Sequence, residues 1–184
     1  MKSTEKIEDR KKRVDMHNFF ITKINDAMKE GRFIEASWLI YSCLENRYFR
    51  TVEKIKSQCK YSNGKCKKAS NDLALKTKIN CVERLSGDPH CTCFYDNFPT
   101  ELLEKTKRWV KNRNTLMHNL LQLDYYEDMD TEFKTIATTG KELLEQTYTC
   151  CTKFRKDFYA ESYIFEFPTA AMEGCPCKPR DKIN

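Results

Sequence analysis

Apolar positions recur at helical spacing along most of the chain. Between Lys6 and Lys29, Phe20, Ile24, Ala27 and Met28 share one face, until Gly31 interrupts the pattern. From Phe33 the stripe resumes through Ser37, Ile40, Leu44, Tyr48, Thr51 and Ile55 to about Lys56. Glycine commonly ends helices, so these two segments form a hairpin or a sharply bent pair around Gly31. The polar stretch SQCKYSNGKCKKAS reads as a loop with Asn-Gly at its centre. Asn71 or Asp72 then caps a third helix carrying Leu73, Leu75, Ile79, Val82 and Leu85, which SGDPHCTC ends. Pro99-Thr100 opens a fourth helix with Thr100 as N-cap and with Glu101 and Glu104 near its positive end, running through Trp109 to about Leu123. A turn at DYYEDMD leads to a long fifth helix from Asp130 to Ala160, with Phe133, Ile136, Ala137, Leu143, Leu144, Thr147, Cys151, Phe154 and Phe158 on one side. The expected fold is all-α: an antiparallel four-to-five-helix bundle forming one domain over residues 1–164, with an irregular tail over 165–184.

Composition agrees with long helices. Only 5 Gly and 5 Pro occur in 184 residues, few for a chain of short strands and tight turns, and 40% of residues are hydrophobic. The formal net charge of +6 fits an anionic partner such as RNA as well as an ordinary protein surface. No apolar run approaches the roughly 18–20 residues that span a bilayer, so no membrane association is expected. The first residues, MKSTEKIEDRKKRVDMHNFF, lack the apolar stretch of a secretory signal, and the expected location is cytoplasmic.

Chemistry concentrates in the fourth helix, TELLEKTKRWVKNRNTLMHNLLQLD. At about 100° per residue, Leu102, Thr106, Trp109, Val110, Leu116, Met117 and Leu120 fall on one face, and Arg113 falls near its centre. An unpaired buried guanidinium is costly, so either an anionic group meets Arg113 or that face borders a cleft. Asn114 and His118, four apart, share another flank that a long arginine can reach. Together they supply a permanent cation, an amide and the one side chain that titrates near neutrality.

The segment Arg113-Asn114-Thr115-Leu116-Met117-His118 resembles the R-N-x-x-x-H signature of the HEPN superfamily. The similarity extends over roughly Phe19 to Tyr159: GRFIEASWLIYSCLENRYFRTVEKI is similar to the long early helix of such domains, and one long helix closes the chain after the motif. The resemblance implies a helical bundle and, for many members, an RNase of defence and toxin–antitoxin systems. It implies that His118 is the acid–base group, that Arg113 binds the scissile phosphate, and that Asn114 orients the pair. RNA carries its own nucleophile in the ribose 2′-hydroxyl, so proton transfer and charge stabilisation suffice without metal or other cofactor, leaving a 2′,3′-cyclic phosphate. One motif offers one histidine. Family members bring two together by dimerising, so a homodimer with a composite site is expected, along with an antitoxin or defence partner. Toxins silenced by a partner nucleotidyltransferase often carry a tyrosine two residues after the histidine; here that position is Leu120, so such a partner is not expected. The alternative reading is a catalytically silent HEPN-fold scaffold that binds RNA or protein.

Ten cysteines complete the inventory. Without a secretory signal they read as reduced thiols, and the metal expectation is none. Cys59, Cys66, Cys91 and Cys93, with His90 alongside, are a secondary zinc reading, because the C-x6-C and C-x-C spacings are not those of common knuckles. Lys65, Lys67 and Lys68, with Lys60, are secondary RNA-contact positions, and the Arg10-Lys11-Lys12-Arg13 run ranks below them. Trp38, Tyr125 and Tyr126 read as packing residues before base-stacking ones.

Overall fold

The computed structural model describes residues 2–57, 74–87, 92–120 and 126–161. Among these, six helices follow one another: α1 (Lys2–Lys29), α2 (Phe33–Ser57), α3 (Leu75–Ser86), α4 (Thr92–Tyr95), α5 (Thr100–Asn119) and α6 (Tyr126–Glu161). The fold is all-α, as the periodicity implies, and no strand occurs among the described residues. No helix among them is long and apolar enough to cross a membrane.

The α1–α2 hairpin turns on Gly31, whose φ of 72° belongs to the left-handed region that favours glycine. The Arg32 N–H donates to Ala27 O at 2.8 Å and the Gly31 N–H to Met28 O at 3.4 Å, the two bonds of a Schellman cap. Below the turn Ala27, Ala36 and Ala137 meet with no exposure, so small side chains let α1, α2 and α6 approach closely.

Helices α2, α3, α5 and α6 close a ring in which α2 touches α3 and α6, and α5 touches the same two from the other side. Helix α1 packs on the outside of α2. The hairpin partners α1 and α2 run antiparallel, as expected. Helices α2 and α6, however, are parallel neighbours: Ala36 near the start of α2 meets Ala137, and Thr51 Oγ1 near its end lies 3.8 Å from Cys151 Sγ, further along α6. Connection lengths allow either arrangement, and the packing faces decide it.

Local boundaries differ from expectation in three places. Pro99, not Thr100, caps α5; its extended backbone aims its carbonyl at the N–H groups of Leu102 and Leu103, at 3.0 and 3.2 Å. Helix α6 begins at Tyr126, taking up most of the expected turn. Helix α3 begins behind Ala74, which gives no side-chain cap; Asn71 and Asp72 lie outside the described residues, as do the loop at 58–70 and the tail at 165–184. The short α4 was not anticipated. Its Phe94 joins Phe98 and Phe154 in an aromatic cluster with centroids 4.5–6.1 Å apart, closing one end of the bundle. Asn97 Nδ2 donates to Asp157 Oδ2 at 2.6 Å beside it.

Helix α1 is also fastened by a polar contact. His17 Nδ1 lies 2.8 Å from the Tyr148 hydroxyl, and the Arg47 guanidinium stacks 4.1 Å from the Tyr148 ring. Burial, with the Arg47 charge second, holds the His17 pKa below its ordinary 6.5. The folded state therefore favours neutral His17. Its contribution to stability is complete above pH 6.5 and is lost as pH falls through the depressed folded value. Thermal melts between about pH 7.5 and pH 5 are expected to show falling stability, and His17→Phe to flatten that slope. An unchanged slope in the variant would remove His17 as the cause.

Candidate active site

The sequence of α5 orients the site. Leu102, Leu103, Thr106, Trp109, Val110 and Leu116 are buried, and Arg113 lies among them. Trp109 fixes the helix in rotation: its indole N–H donates to Ile136 O at 2.8 Å, and the ring lies flush on Gly140 of α6. One turn further along α5, this places Arg113 against the early part of α2.

Arg113 is only 6% exposed. No anionic partner for it occurs among the described residues. Its guanidinium instead lies over two aromatic rings of α2, 4.6 Å from the Trp38 centroid and 4.9 Å from that of Tyr41. Nη1 donates to Asn114 Oδ1 at 3.1 Å, while Nε and Nη2 are buried with no hydrogen-bond partner among the described residues. Burial pulls the Arg113 pKa below its ordinary value, opposed by interaction with Tyr41. Glu45, whose charge reaches Tyr41, is engaged by Lys78, 2% exposed, at 3.0 Å. Arg113 is thus a desolvated cation with two idle donors.

The structure brings Arg113 and Asn114 into direct contact. His118 stands one turn beyond Asn114, exposed, in the last turn of α5. Lys107, Lys111, Asn114 and His118 follow at spacings of four, three and four, one polar flank of the helix. Lys107 is paired with Glu83 at 2.5 Å, and Lys111 is exposed. The sequence ranks Trp38 as a packing residue before a base-stacking one and gives no signal for Tyr41. They share a face of α2 three residues apart, but only tertiary packing puts Arg113 over them.

Lys60, Lys65, Lys67, Lys68, Cys59, Cys66, His90, Cys91 and Tyr125 lie outside the described residues, as do the side chains of Arg10, Arg13, Cys93 and Tyr126. Among the described residues no group of three or more His, Cys, Asp or Glu could hold a metal ion. Cys43, Cys150 and Cys151 are free thiols. Burial raises the pKa of Cys43 and Cys150, and pushes that of Cys151 up to about 11, which favours the protonated thiol in all three.

Compared with protein-family models, curated proteins and solved structures, the chain matches none.

Proposed function

We propose that this chain is a metal-independent endoribonuclease of the HEPN type, acting as a toxin or antiviral effector under an antitoxin or defence partner. The observation that carries this reading is the Arg113–Asn114 pair. A cation held by an amide, with two donors lacking partners, sits one turn from an exposed histidine on the same helix. Such a guanidinium is suited to a phosphate, whose oxygens take charge-assisted bonds from the donors that no protein group uses.

In the proposed reaction a histidine accepts the proton of a ribose 2′-hydroxyl as its oxygen bonds to the adjacent phosphorus. The bond from phosphorus to the 5′-oxygen breaks, and that oxygen takes a proton from a second histidine. The products are a 2′,3′-cyclic phosphate and a 5′-hydroxyl, and Arg113 stabilises the charge that develops on the phosphoryl oxygens. His118 from each of two copies would serve as base and acid, and so a homodimer is part of the proposal.

Labelled RNA, including tRNA, is to be incubated in excess EDTA with the wild-type protein and with His118→Ala. Cleavage by the wild type that falls about a hundredfold or more in the variant is expected. Equal cutting by both would assign the activity to something else. Binding without cutting by either would favour the silent-scaffold reading.

A further inference from the structure

Trp38 is the unexplained feature of the site. A tryptophan usually buries most of its ring, yet Trp38 is 52% exposed while resting on a guanidinium that is itself buried. Tyr41, the other ring against Arg113, is half-buried. As free protein the arrangement leaves two incomplete surfaces side by side: an indole half in water, and a cation with two idle donors beneath it.

We infer that Trp38 is a specificity-determining residue that stacks a nucleobase next to the phosphate held by Arg113, restricting the substrate to single-stranded RNA. This deepens the nuclease reading and rests on it. The argument is one of complementarity. A nucleotide offers a phosphate to take the unused donors and a base to cover the exposed ring, so both deficits are met by one ligand. Nε and Nη2 are closed off in the free protein, so the phosphate reaches them only if a ring moves aside. Trp38, 52% exposed, is the less confined of the two, Tyr41 being half-buried. Its exchange of the guanidinium for a base keeps a π contact, while Arg113 gains charge-assisted bonds it now lacks. Exposed Lys111, on the same flank of α5 as Asn114 and His118, adds positive charge along the path of the adjoining backbone. A paired duplex cannot deliver a base to the ring without unstacking it, which gives the preference for single strands.

The test uses a short, fully 2′-O-methylated single-stranded oligonucleotide, which binds but cannot be cut, and the corresponding duplex. Quenching by the oligonucleotide is assigned to Trp38 as the difference between the wild type and Trp38→Leu, because Trp109, the other of 2 tryptophans, also emits but is buried out of a ligand's reach. Titration with the single strand is expected to quench the wild-type emission, and the duplex to bind at least about tenfold more weakly. Trp38→Tyr, which keeps an aromatic face, is expected to hold affinity within about threefold. Trp38→Leu, which keeps apolar cover over Arg113, is expected to lose about tenfold, the size of one lost base stack. Equal single-strand affinity in wild type and Trp38→Leu, with RNA cleavage still dependent on His118, would overturn the stacking role and leave the nuclease intact. Trp38 emission that responds to protein concentration and not to the oligonucleotide would assign the ring to an interface between copies and overturn the inference. Absence of both oligonucleotide binding and RNA cleavage would overturn the nuclease reading and this one with it.

Discussion

Arg113→Met is expected to abolish RNA cleavage, by about a hundredfold or more, while leaving the fold at least as stable as the wild type. The two effects point in opposite directions because the residue is poorly compensated. Arg113 is 6% exposed, two of its donors lack partners, and one hydrogen bond to Asn114 and two ring faces are what it receives in return. Each buried unsatisfied donor costs about 1–3 kcal/mol. The cation–π contacts return about 0.5–2 kcal/mol. Methionine fills similar space, carries no charge, and packs well against Trp38 and Tyr41. A gain of about 1–2 kcal/mol in urea unfolding is therefore expected alongside lost activity. Lysine is the informative control, since it keeps charge but loses the planar stack and is expected to recover little cleavage. If Arg113→Met were instead strongly destabilised, the arginine would be a structural plug held by the rings and Asn114. The argument for an idle, phosphate-ready cation would then fail.

The position of Arg113 at the centre of an apolar stripe was legible from spacing alone, and so was the problem it poses. What was not legible was the solution. Helical spacing implies a carboxylate or a cleft, whereas the fold supplies two aromatic faces, from Trp38 and Tyr41, some seventy residues earlier in the chain. The α1–α2 turn was readable because Gly31 acts locally: its positive φ and the two cap bonds involve only its neighbours. Helix α4 was not, since its 4 residues are too few to show a period, and the value of Phe94 and Phe98 appears only once Phe154 arrives from α6. The parallel pairing of α2 with α6 was hidden for the same reason. Both helices carry good apolar stripes, and a stripe does not say which other stripe it meets.

Gly140→Ala shows how such a tertiary contact reaches the site, and it is expected to be among the most destabilising single-methyl additions in the chain. Glycine inside a helix is ordinarily a liability, and alanine there gains about 1 kcal/mol in propensity. Here the added Cβ would lie 2.6 Å from Trp109 Cζ2, 2.7 Å from Cε2 and 2.8 Å from Nε1, well inside the roughly 3.5–4 Å of a carbon contact. The indole cannot simply retreat, being 3% exposed and tied to Ile136 O at 2.8 Å. Overpacking costs about 1–3 kcal/mol and sometimes more, so a net loss of about 2 kcal/mol is expected in chemical denaturation. Relief requires α5 to move off α6, and Arg113 lies one turn along the same helix. Cleavage by the folded fraction is therefore expected to fall as well. The cycle with Trp109→Phe isolates the cause: in that background, where the smaller ring leaves room, the same glycine change should become neutral or slightly stabilising. A Gly140→Ala protein as stable as wild type would mean that α5 and α6 shift apart at little cost, and that the rotation of α5 which buries Arg113 is not fixed by the tryptophan.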